Sequence, residues 1–207
     1  RGFYVLDDYS ALRNIENAKP TAKASIYPIR KALMWEKSMP LGLPGKAFQG
    51  DNYYTATNLD PEAIITYYYG ENYKSLKEKR QKKEKELIKS ESDTPYPNYS
   101  SLYSESNEEV PQLVFTIKDA SKNVVKKVFK KPSKGLQRFH WNLRYEEKNP
   151  INLNSSSFYN PFAGASEGTL VNPGTFTIEL GYYHKGVLTS MVSPTSFTVK
   201  ALDNTVM

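Results

Sequence analysis

Alternation of apolar and polar residues with period two recurs so often along these 207 residues that it confines them to a β-sheet fold. Phe139, Trp141 and Leu143 fall on one face of an extended segment, and Arg138, His140, Asn142 and Arg144 on the other. Leu113, Phe115 and Ile117 alternate with Val114 and Thr116, then the turn residues Asp119-Ala120-Ser121-Lys122-Asn123 lead into a return arm over 124–129, which predicts a hairpin. Ala63 to Tyr69 is a run of β-branched and aromatic residues suited to the first strand of a packed domain. Near the end, Asn172-Pro173-Gly174 turns the chain into a strand with Phe176, Ile178 and Leu180 on one face. His184-Lys185-Gly186 turns it again into 187–191, and Pro194 precedes a last strand with Phe197 and Val199 inward. About seven short strands separated by turns predict a mainly β fold, an immunoglobulin- or fibronectin III-like β-sandwich. Thirteen prolines, eleven glycines and sixteen tyrosines suit that class better than a helical bundle.

Between these strands lie segments of a different character. Residues 71–90 read as a helix with a narrow apolar stripe of Tyr73, Leu76, Leu87 and Ile88, and 91–109 adds Pro95, Pro97 and a serine cluster with a turn of helix around 99–103. Residues 71–109 therefore read as a charged helical insertion between two strands. Residues 19–60, with Pro20, Pro28, Pro40 and Pro44 and no sustained period, read as an extended connector. The expected organisation is a remnant strand and short helix over 1–18, the connector over 19–60, the sandwich over 61–201 with its insertion at 71–109, and a tail over 202–207.

Several chemistries lose their residues at once. With no cysteine there is no disulfide, zinc-thiolate site or cysteine nucleophile. His140 and His184 are the only histidines; one lies on the wet face of a strand and one at a hairpin tip, so surface roles fit both better than a metal pair. There is no Gly-x-Ser-x-Gly elbow and no phosphate-binding glycine loop. Asp7 and Asp8 form an eye-catching carboxylate pair, yet neighbours on a strand point to opposite faces, and capping a short helix at 11–15 with Asp8 or Ser10 is the simpler role. No catalytic residue, metal site or cofactor is expected.

The net charge of +6 raises the question of a polyanion partner. Lysines and Arg80 between Lys74 and Lys89 are interleaved with Glu78, Glu84 and Glu86 at helical spacing, which argues for a solvated, ion-paired helix and against a nucleic-acid surface. Tyrosines and the aromatic loop Phe158, Tyr159 and Phe162 offer an alternative, a carbohydrate platform that would take polysaccharide. Two Asn-x-Ser sequons, at Asn98 and Asn154, matter only in a eukaryotic secretory pathway. No apolar run is long enough to cross a bilayer as a helix.

The opening string Arg1-Gly2-Phe3-Tyr4-Val5-Leu6-Asp7-Asp8 resembles the closing strand of the sortilin-like, BNR-repeat, glycosyl-hydrolase-like β-propeller proteins that bacteria export. Ile26-Tyr27-Pro28-Ile29-Arg30 with Trp35 resembles the connector that follows the propeller. The segments 113–125, 135–144 and Pro173-Gly174-Thr175-Phe176-Thr177 resemble the strand and turn motifs of that family's C-terminal domain. One departure is Lys122-Asn123, where the pattern has glycine; asparagine tolerates left-handed backbone, so the hairpin is expected to survive through Asn123. The resemblance implies a non-catalytic C-terminal accessory domain that packs on an upstream β-propeller of the same polypeptide through Phe3, Val5, Leu6, Ile26, Tyr27 and Trp35. It also implies a secreted, periplasmic or cell-surface location, with the export signal upstream of a chain that begins in mid-strand.

Overall fold

The computed structural model describes residues 8–14, 23–35, 59–148, 153 and 167–202. Within these the protein is mainly β, with eight strands in two sheets and two short α-helices. The strands are β1 (Ala24–Ile26), β2 (Ala32–Met34), β3 (Ala63–Tyr69), β4 (Gln112–Lys118), β5 (Val124–Lys130), β6 (Gly135–Trp141), β7 (Gly174–His184) and β8 (Val187–Ala201). The three-stranded sheet has the order β1-β3-β6 and the five-stranded sheet the order β2-β8-β7-β4-β5. All pairs are antiparallel except β2 with β8, which run parallel.

The alternating residues build the core between the sheets. Ile65, Tyr67 and Tyr69 of β3, with Phe139 and Trp141 of β6, meet Leu113, Phe115 and Ile117 of β4, Phe176, Ile178 and Leu180 of β7, and Phe197 and Val199 of β8, all buried. Aromatic pairs cross the gap. The Phe115 ring lies 4.7 Å from both Tyr67 and Phe139, and Trp141 meets Phe176 edge-on at 5.4 Å, geometries that add to the area term. Trp141 also donates its indole N–H to the Arg144 carbonyl at 2.9 Å, so its one polar atom is satisfied.

Three expectations need correction. The segment 19–60 is not merely a connector, since β1 pairs with β3 and β2 with β8, and the two sheets already share it from Ala24 onward rather than from Pro61. The strands expected over 187–191 and after Pro194 are one continuous β8, in which residues 193 and 194 oppose Glu179 alone. Pro194, lacking an N–H, is tolerated at that bulge. In the β4–β5 turn the left-handed residue is Lys122, at φ 67°, and not Asn123. Asn123 instead donates its backbone N–H to Asp119 Oδ1 at 2.8 Å and its side-chain amide to Oδ2 at 3.1 Å, which fixes the loop from outside.

The insertion between β3 and β4 is helical, as the sequence predicts. Helix α1 (Leu76–Lys89) starts with a capping box between Ser75 and Glu78, and α2 (Tyr99–Ser106) is capped by Asn98. Neither buries a residue completely, and they meet through a polar seam in which Arg80 grips Glu105 at 2.6 and 2.9 Å and Glu84 at 2.6 Å. These bonds hold the Glu105 carboxyl below its ordinary range and push the Arg80 guanidinium higher still. At the base of the arm, the Tyr73 hydroxyl donates to Glu108 at 2.5 Å; burial first, then that bond, pushes the phenol up to about 12.

Candidate functional site

The outer face of the three-stranded sheet carries a cluster assembled from distant parts of the chain. Arg138, on the wet side of β6 as the alternation predicts, donates from Nε to Thr66 Oγ1 at 3.2 Å and from Nη2 to the Asp8 carbonyl at 2.9 Å. It thereby clamps the N-terminal segment, 130 residues away in sequence, against β3. Asp8 caps the 3₁₀ helix Ser10–Asn14, accepting from the Ser10 amide at 3.0 Å and its hydroxyl at 2.6 Å. Burial raises the Asp8 carboxyl, but the two Ser10 hydrogen bonds, with Arg138 and Arg30 nearby, outweigh it and leave the group below its usual range. The capping role expected for Asp8 is the one observed.

Next to this clamp lies a small pocket of about 100 Å³ lined by Asp8, Arg30, Leu33, Trp35, Leu59 and Ile64 among others. Leu33 and Leu59 are exposed and Trp35 half-buried, so an apolar rim faces outward beside the cations Arg30 and Lys31 and the carboxylates Asp8, Asp60 and Glu62. Glu62, also on this pocket, pairs with His140 Nδ1 at 2.5 Å. That assigns His140 to an acidic neighbour immediately before the adjacent strand β3.

The sequence-predicted docking residues divide sharply. Ile26 packs against the protein's own core, and Tyr27 is 3% exposed with its amide donating to the Thr66 carbonyl at 3.0 Å. Ile26 and Trp35 are both half-buried, and of that group Trp35 is the described residue that lines the outward pocket. Phe3, Val5 and Leu6 lie outside the described residues, as do Phe158, Tyr159 and Phe162. Leu59 was missed by sequence reasoning, because a leucine in an irregular segment gives no sign of which way it faces. Among the described residues, no three His, Asp or Glu side chains gather as they would around a metal ion. No described helix is long and apolar enough to cross a membrane. No protein-family model, curated protein or solved structure matches the chain.

Proposed function

We propose that this chain is a non-catalytic accessory domain of a larger exported protein, an immunoglobulin/fibronectin III-type sandwich that docks on the preceding part of its own polypeptide. The observation that carries the reading is the Arg138 clamp, which fixes the backbone at Asp8 to the sheet beside the exposed Leu33 and Leu59 and the half-buried Trp35. The backbone at Asp8 is thereby held beside an apolar surface. The sandwich type is supported by the strand partition, since β1-β3-β6 against β8-β7-β4-β5 is the division of such folds, with β1 and β2 as two halves of a first strand shared between the sheets. The β-propeller partner is supported by the resemblance of the opening strand and connector.

The test is a structure of the longer polypeptide by electron microscopy. Leu33, Trp35 and Leu59 are expected in a buried contact with the preceding domain. A domain tumbling freely on its tether would sink the reading. Separately, the chain alone is expected to leave aryl-glycosides and peptides uncleaved, and turnover abolished by substituting one of its own carboxylates would overturn the non-catalytic part.

A further inference from the structure

The protein's positive charge is not where the lysine-rich helix suggests. Residues 71–109 contain eight basic and nine acidic side chains, so the arm neutralises itself. Residues 118–138 contain eight basic side chains and one acidic. Within that stretch Lys118 is paired with Glu179 at 2.7 Å, Arg138 is committed to Asp8 and Thr66, and Asp119 is occupied by Asn123. Lys122, Lys126, Lys127, Lys130, Lys131 and Lys134 have no ion pair among the described residues. They follow β5, the outermost strand of the five-stranded sheet, and the turns at its two ends.

Beside β5 runs an open cleft of about 630 Å³, bordered by Lys126, Lys127 and Lys148 and by the rings of Phe129 and Tyr145. Asp119 and Glu146 also border it, and the Glu146 amide bonds the Val125 carbonyl at 3.3 Å, closing one end of the strand's free edge. Phe129 is 55% exposed although it sits on a strand, so an aromatic face lies open among the cations.

We infer that the β5 edge is a binding surface for a linear acidic polysaccharide, whose carboxylates meet the lysine row and whose sugar rings stack on Phe129. Cations flank the edge on both faces, Lys127 beside Phe129 on the outer face and Lys126 and Lys130 on the face turned toward the core, where Lys130 lies 5.6 Å from the Phe139 ring. The spacing of about 13 Å between Lys126 and Lys130 at the strand's rise suits a repeating linear ligand. Its cations are lysines, point charges that need no bidentate geometry, whereas the stretch's one arginine, the type best matched to phosphate, is held by Asp8 and Thr66. The simpler explanation is that edge lysines only keep sheets from pairing edge to edge. It gives no reason for the cleft or the open Phe129. The inference is independent of the docking reading, because β5 lies at the opposite end of its sheet from β2.

Affinity electrophoresis of the whole chain in gels containing polygalacturonate provides the test, with two triple variants that remove equal charge. Lys127→Ser, Lys130→Ser and Lys131→Ser together are expected to weaken retention roughly tenfold, while Lys82→Ser, Lys85→Ser and Lys89→Ser on α1 change it by less than about twofold. Phe129→Ser leaves the charge intact and is expected to weaken retention as well, and added salt lowers retention of the wild type. Circular dichroism confirms that each variant is folded. No retention of the wild type, or equal losses from both triple variants, would overturn the inference. Stronger binding to duplex DNA than to polygalacturonate would reassign the edge to nucleic acid, and soluble wild type with aggregating edge variants but no retention would leave only the guarding role.

Discussion

Lys122 holds a left-handed backbone at φ 67° in the turn between β4 and β5, a conformation that costs an L-residue about 1–2 kcal/mol. Glycine at this position removes that strain but adds freedom to the unfolded chain, worth roughly 0.4–1 kcal/mol in the other direction. Lys122→Gly is therefore expected to stabilise the protein by about 0.5–1 kcal/mol, read from thermal or urea unfolding. At Asp8 the expected effect depends on pH. Its folded carboxyl lies below the unfolded value of about 3.9, so its contribution is complete above that pH and is lost as the pH falls through the lower folded value. Hydrogen exchange should show residues 8–14 loosening on the acid side before the sheets do. Asp8→Asn, which keeps an oxygen for Ser10 but not the charge, should flatten that dependence.

Among the elements, those with long periodic strands were legible and those held by partners were not. The one-sided burial of Phe139 and Trp141, and of Phe176, Ile178 and Leu180, follows from alternation, which is a local property of the sequence. Strands β1 and β2 have three residues each, too few for any period to show; they exist because β3 and β8 offer edges to pair with. The Lys122 and Asn123 assignment failed because both residues flank the same turn, and the Asp119 carboxylate decides which one bends. Likewise the clamp of Arg138 on Asp8 joins residues too far apart for spacing to suggest it. The helical arm yields a further prediction. Arg80 is the seam's common partner for Glu105 and Glu84, so Glu105→Gln should release α2 from α1 while leaving the sheets unchanged. Limited proteolysis should then cut between 90 and 110 at least several-fold faster, with the unfolding midpoint of the core unmoved.

At the scale of the whole molecule, the sheets depend on a segment that the sequence set outside the domain. A chain beginning at Asp60 would lack β1 and β2, baring the edge of β3 along 67–69 and that of β8 along 199–201. It is expected to aggregate or to unfold without a cooperative transition, whereas a chain beginning at Lys23 should keep a single sigmoidal melt. Circular dichroism with size-exclusion chromatography distinguishes the two.

The parallel pairing of β2 with β8 also sets a timetable. On the ribosome β2 emerges early, but its hydrogen-bonding partner at 199–201 is made more than 160 residues later. Until then the two halves of the stretch 24–34 are unequal, since β1 can settle on β3 as soon as residue 69 is out while β2 has nothing to join. Pairings that close such long loops are slow, and the nascent chain carries β2 unpaired until 199–201 is made. The last step of folding is then the return of the end of the described chain to nearly its beginning, a seam sewn only when β8 arrives.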